Sequence, residues 1–234
     1  MSLWSGPPNQ GEHLHGLRST RRDYLAPPLL LKDLPHAPGA AFRDWYARAC
    51  EADVLEPNAM VLATVGEDGL PTARTVLLKG VTGAGLSFFT NYQSRKGRQL
   101  AAHPWATALF VWLPLSRQVA ITGLVQRLPD EESDEYFASR PREAQLAAWA
   151  SPQSQEISGR EELLEAWQRL EERFTGAAVP RPPHWGGFLL RPTRVEFWQG
   201  QPSRMHDRII YVATSPHSGD LGDEQAWERR RLAP

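Results

Sequence analysis

At 234 residues with 41% apolar side chains, the chain can bury one sizeable core. A formal net charge of −1 and a pI near 6.7 exclude the global positive field that non-specific nucleic-acid binding needs, so small ligands suit it better than polyanions. The single cysteine, Cys50, excludes an internal disulfide framework and a cysteine zinc site, and agrees with a reducing compartment.

The first residues, MSLWSGPPNQGEHLHG, carry neither the basic start and apolar stretch of a signal peptide nor its small-residue cleavage site. No apolar run approaches membrane-spanning length. A cytoplasmic protein with no membrane or nucleic-acid partner and no metal is expected. Residues 1–39 read as a flexible arm, polar at first and then basic (Arg18, Arg21, Arg22) and proline-containing; residues 40–234 read as a single domain. Apolar positions Phe42, Trp45, Tyr46 and Ala49 predict an amphipathic helix over 40–52, which stops before Pro57.

The period then changes to two. Stretches 59–66 and 71–79 flank Glu67-Asp68-Gly69, a turn signal that predicts a hairpin. Further strands are expected at 85–91, 105–113 and 117–128, with a short helix over 94–103 that Pro104 ends. Residues 130–175 are helical in character and include the opposite-charge i,i+4 pair Glu165–Arg169, a solvated face. Strands resume at 186–190, 193–199 and 207–212, and a last one lies near 227–232. The fold class is mainly β with peripheral helices, a barrel or sandwich of α+β type.

The common nucleotide, metalloprotease and hydrolase motifs are absent. Cationic and amide residues at strand ends remain. Arg74 and Lys79 stand five apart on a strand, so they leave opposite faces. Ser94-Arg95-Lys96 opens a helix, where free N–H groups and two cations form either a phosphate site or an ordinary solvated end. Gln118 and Gln153-Ser154 offer amides and a hydroxyl to a heterocycle edge. If 204–208 is extended, Arg204, His206 and Arg208 share one face beside Trp198; either an electron-rich ligand or acids elsewhere offset their repulsion.

Taken in order, RTVLLK, FFTNYQSRK, RQV, YFASRP, the QS at 153–154, WGGF, EFWQG, RMHDR and the final RLAP strongly resemble the pyridoxine 5'-phosphate oxidase family from Arg21 to Pro234. The resemblance implies a homodimer of FMN-binding split β-barrels, with two flavins in grooves between the subunits. It implies that FMN is held by Arg74, Thr75, Val76, Leu77, Leu78, Lys79, Phe89, Thr90, Arg95, Lys96, Gln118, Gln153, Ser154, Trp198 and Arg208. Lys79, Tyr136 and Arg140 would meet the substrate phosphate. Catalytic Arg204 and His206 would lie over the pyridine ring, and Arg21 and Tyr24 would belong to an arm that closes over the pocket. The implied reaction oxidises pyridoxine 5'-phosphate or pyridoxamine 5'-phosphate to pyridoxal 5'-phosphate, with O₂ as acceptor and H₂O₂ as product.

Four positions depart from the family pattern. Ala144 stands where a phosphate-binding serine is usual, Met205 for leucine, Phe89 for tyrosine, and Ala147 where glycine is common. The alternatives are a same-fold flavin oxidase of the phenazine-precursor type, for which the missing hydroxyl at Ala144 speaks, and a carrier that binds flavin or pyridoxal phosphate without turnover.

Overall fold

The structure is a computed structural model that describes residues 24, 26–215 and 219–234. A helix α1 (Pro38–Glu51) leads into nine strands of one antiparallel sheet: β1 (Ala59–Val65), β2 (Pro71–Leu77), β3 (Gly80–Thr82), β4 (Gly85–Asn91), β5 (Trp105–Trp112), β6 (Arg117–Arg127), β7 (Trp185–Gln199), β8 (Asp207–Ala213) and β9 (Trp227–Leu232). Helix α2 (Arg95–Ala102) follows β4, and α3 (Asp130–Ser139), α4 (Arg142–Ala150) and α5 (Arg160–Arg173) lie between β6 and β7. The sheet runs β2-β1-β5-β6-β7-β4-β3, with β8 and β9 added beside β7. It curls into the split barrel that the resemblance implies.

Alternation makes the core. Leu62, Phe88, Phe110, Ile121, Leu190, Val195 and Phe197 point inward and are essentially buried. Helix α1 supplies the predicted face: Phe42 meets Phe110 edge-on at 5.1 Å and Trp45 meets Phe197 at 5.1 Å. Burying such side chains stabilises the fold by about 1.5–3 kcal/mol each. Smaller packing under α3 to α5 joins Phe137, Leu146, Phe174, Val179 and Trp185. The Glu165–Arg169 pair on α5 is an exposed contact at 3.6 Å and adds little.

The hairpin turn forms as expected, with Gly69 at φ +73 and Asp68 accepting from the Leu70 N–H at 3.0 Å. Two expectations need correction. The strands at 186–190 and 193–199 are one continuous strand, β7, although Pro192 lacks an N–H. A register shift in β6 between Thr122 and Gly123 lies opposite Pro192, and a Cβ on Gly123 would stand 1.9 Å from the Arg191 carbonyl oxygen. The short β3 was not expected; three residues are too few to show a period.

Strand β7 changes neighbours along its length. Trp185–Leu190 pair with β4, whereas Arg194–Gln199 pair with β8. The strand therefore ties together two regions of the surface. The described part of the arm, 26–37, lies along the β8–β9 edge: Asp207 accepts from the Leu29 N–H at 2.9 Å, Arg231 donates to Asp207 at 2.5 Å and to the Leu29 carbonyl, and Arg229 donates to the Leu34 carbonyl at 2.7 Å. Arg21 lies outside the described residues.

Candidate functional site

A cavity of 640 Å³ opens between the end of β2, the end of β4, the start of α2 and the α3–α4 corner. That size suits a cofactor-sized ligand. Its wall includes ten residues the sequence nominated: Thr75, Val76, Leu77, Lys79, Phe89, Thr90, Lys96, Tyr136, Arg140 and Gln153.

Lys96 comes from the first turn of α2. Ser94 caps that helix, accepting from the Gly97 N–H at 3.2 Å and donating to the Asn91 carbonyl at 2.7 Å, so the helix start is fixed on the end of β4. The buried Lys96 ammonium donates to Gln153 Oε1 at 3.0 Å, and the Thr90 hydroxyl donates to the same oxygen at 3.2 Å. The partners of the ammonium, Gln153 and Ser94, are neutral. Burial, then the nearby Arg74, push Lys96 down from 10.5 to about 8. Arg74 is itself lowered by burial and by Arg95. Three cations thus crowd one corner, and an anion there would relieve all of them.

A pH effect follows with a definite sign. Between about pH 8 and the ordinary lysine value the unfolded chain holds a proton that folded Lys96 has released, so the stability of the ligand-free protein contains a contribution that rises with pH across that window. Urea unfolding at about pH 8 and about pH 10 should show this rise in the parent protein, and Lys96→Met should lose it.

The other side of the cavity is aromatic and cationic. Phe89 stacks on Tyr136 at 3.9 Å, and both lie parallel to Trp185. The Lys79 ammonium stands 5.9 Å from the Tyr136 ring, and the Arg140 guanidinium 4.6 Å from Trp185. Burial lowers the pKa of Arg140, and its Nη1 is buried without a hydrogen-bond partner among the described residues. A buried donor left unpaired on a wall residue is costly, and a small shift of the guanidinium toward a ligand acceptor would relieve it.

Not every nominated residue lines this cavity. Lys79 lies beyond β2, not on it, while Arg74 turns to the Leu62 carbonyl, Thr64 and Thr72. Leu78 packs into the core. Arg95 is exposed beside Glu67 and Asp68 at the hairpin. Ser154 follows Gln153 at φ +70, outside the cavity wall.

A second cluster occupies the far half of β7. Gln118 pairs across from Trp198, and Trp198 from Arg208. The His206 ring lies 4.7 Å from Trp198, and Tyr24 meets both edge-on at 5.8 and 5.6 Å. Arg204 is exposed. The expectation that Arg204, His206 and Arg208 share one extended face is corrected: Pro202–Arg204 form a tight turn, and Ser203 and Arg204 have φ +54 and +63. Left-handed backbone at two successive non-glycine residues is strained, a feature that concentrates at functional sites. Arg208 follows Asp207 at the start of β8 and is taken by an acid, donating to Glu196 at 2.7 Å; that bond raises its pKa.

Sequence reasoning passed over Trp185, Asn91, Ser139 and Ser151 as wall residues. The WGGF string held a signal for the first. A Cβ on Gly187 would stand 2.8 Å from the Phe89 ring, so this glycine leaves room for the stacked ring, and one on Gly186 would stand 2.1 Å from the Tyr92 hydroxyl.

The fold and this cavity define the class as an FMN-binding-type split barrel with a cationic, aromatic groove. A pyridoxamine 5'-phosphate oxidase-related, FMN-binding protein of Nostoc punctiforme shares the fold, with a TM-score of 0.64 at 20% identity over 86% of this chain and 100% of that one. The family model for pyridoxamine 5'-phosphate oxidase matches residues 47–174, and the model for the pyridoxine 5'-phosphate oxidase C-terminal dimerisation region matches 185–234. The pyridoxine/pyridoxamine 5'-phosphate oxidase of Cupriavidus metallidurans is 51% identical over 93% of this chain and 99% of its own length. That of Burkholderia lata is 49% identical over 93% and 99%. PhzG of Burkholderia lata, solved with tetrahydrophenazine-1-carboxylic acid, has a TM-score of 0.80 at 31% identity over 91% of this chain and 100% of that one. The chain belongs to the pyridoxine/pyridoxamine 5'-phosphate oxidase family.

Proposed function

We propose that the protein oxidises pyridoxine 5'-phosphate and pyridoxamine 5'-phosphate to pyridoxal 5'-phosphate, using FMN and O₂ and releasing H₂O₂, as a homodimer with FMN at the subunit interface. The observation that carries this reading is one cavity with cations at both ends and no acid in its wall, Lys96 backed by Arg74 at one end and Arg140 with Lys79 at the other. Two separated anion positions fit a cofactor phosphate and a substrate phosphate.

Within this reading, Lys96 and Arg95 hold the FMN phosphate, Arg74 braces them, and the backbone of 75–79 with Phe89, Thr90, Gln153 and Ser154 borders the cofactor. FMN held there would supply a two-electron acceptor able to take a hydride from the substrate and to be reoxidised by O₂. Lys79, Tyr136 and Arg140 grip the substrate phosphate and so fix the ring's position. Gln118, Trp198, Arg208, Arg204 and His206 complete the site from the partner subunit. The reason is placement: none of these five lines the chain's own cavity, and Trp185 and Trp198 stand near opposite ends of β7. Arg204 and His206 orient the pyridine ring and offset charge that changes during oxidation. Residues 40–234 act as one domain, and Tyr24 of the arm stands beside Trp198 and His206.

A second reading, oxidation of another ring as in the phenazine-precursor type, draws on the PhzG likeness and on Ala144. Against the two Burkholderia lata proteins, however, the chain stands at 49% identity to the oxidase and 31% to PhzG. Anaerobic mixing of FMN-loaded protein with each phosphorylated vitamer decides. Bleaching of the flavin band, recovered on admitting oxygen with pyridoxal phosphate and peroxide formed, is expected. Tight flavin that neither vitamer bleaches would turn the reading to the other-ring oxidase or to a carrier.

A further inference from the structure

Gln201 stands immediately before the strained turn and is 8% exposed. Its two hydrogen-bonding ends go to different places. The backbone N–H donates to His206 Nδ1 at 3.0 Å, and the side-chain amide donates to the Pro27 carbonyl of the arm at 3.0 Å. The arm residue Tyr24 packs edge-on against His206, and a Cβ on neighbouring Gly200 would come within 2.7 Å of the Tyr24 ring. On the other side of His206, Asp207 accepts from the Leu29 N–H at 2.9 Å. The arm backbone is therefore held on both flanks of the histidine.

The first of these bonds decides what His206 can do. A neutral imidazole whose Nδ1 accepts a hydrogen bond carries its proton on Nε2. While that bond lasts, the free end of the ring is an N–H donor and not a lone pair. It can donate to an electron-rich atom of a bound ring and cannot serve as a base through Nε2.

We infer that Gln201 is a positioning residue that locks His206 as an Nε2–H donor and, through Pro27, makes this lock depend on the seated arm. The substrate-facing role of His206 rests on the proposed function; the tautomer and its link to the arm do not. An arm that leaves takes with it the bond that holds the Gln201 side chain, and with that the alignment of the Gln201 N–H on the imidazole. The arm thus sets the hydrogen-bonding character of a site residue besides covering it.

The test is a long-range ¹H–¹⁵N spectrum of histidine-labelled, FMN-loaded dimer, with the His206 signals assigned by their loss in His206→Asn. The parent protein should show the Nε2–H form. Gln201→Glu keeps the backbone N–H and the side-chain length but sets a carboxylate against the Pro27 carbonyl; it should give a mixture of tautomers and a kcat lower by roughly tenfold at unchanged flavin content. Gln201→Ala, which removes the tie without repulsion, should shift both readouts in the same direction. An Nδ1–H form in the parent overturns the lock, and variants with the parent spectrum overturn the dependence on the arm. Because the spectrum needs no substrate, failure of the oxidase reading would leave this result standing and recognisable.

Discussion

Dissociating and reassociating an equal mixture of Arg140→Ala and Arg204→Ala proteins should restore roughly one quarter of the parent turnover, although each variant alone is nearly inactive. Arg140 belongs to the cavity at the start of β7, where its Nη1 lacks a protein partner, and Arg204 belongs to the cluster at the far end. Removing Arg140, a cation that meets a desolvated anion, costs about 2–5 kcal/mol, and removing Arg204 takes away a charge that acts on the reacting ring, so each variant should lose on the order of a hundredfold or more in kcat/KM. In a two-fold dimer whose sites take one cluster from each chain, a mixed dimer holds one site with neither lesion and one with both. Random reassociation makes about half the dimers mixed, each with one working site, which gives the quarter. If one chain supplied both clusters to its own ligand, mixing would restore nothing. Gel filtration of each variant separates a failure to dimerise from a failure to complement.

The second large effect separates cofactor from substrate. Arg204→Ala should leave FMN affinity within about twofold of the parent while turnover falls on the order of a hundredfold, because the exposed Arg204 lies away from the Lys96 corner. Arg95→Ala should weaken FMN retention by about tenfold, the size of one charge-assisted contact at an exposed position. Lys96→Met should cost more, on the order of a hundredfold, since the lysine is buried and already joins Gln153 and Thr90 in one network. Fluorescence titration of stripped protein with FMN reads all three. Equal loss of flavin in Arg204→Ala and Arg95→Ala would contradict this division of labour.

Much of this was legible from residue order, and the places where it was not have physical causes. Strands with strict alternation, such as 85–91 and 117–128, and the capped helix at Ser94 could be read locally because their signals are local. Pro192 misled because its tolerance depends on an irregularity beside it, where Thr193 is passed over in the pairing with β6 opposite Thr122 and Gly123. The common face of Arg204, His206 and Arg208 failed for a related reason: left-handed backbone at Ser203 and Arg204 carries no glycine to announce it, and Glu196, the acid that engages Arg208, lies on the neighbouring strand. The family strings named most of the cavity wall. They did not reveal that Arg140 keeps an unpaired nitrogen or that Trp185 floors its guanidinium, since both are products of packing between α3 and β7.

Strand β7 also bears on how the protein can fail. One strand, paired with β6 from Phe188 to Gln199 across a single register shift, links the neighbourhood of Arg140 to that of Trp198, so neither region can melt by itself without breaking pairs shared with β6. Heat or denaturant should then abolish both chemical halves in the same transition, leaving no species that keeps one and loses the other. Damage anywhere along the ladder becomes damage everywhere on it. The most sensitive point is remote from any ligand, at Gly123, where even a methyl group has no room. An inherited or engineered lesion there would read as loss of function in an assay while touching none of the residues that do the chemistry.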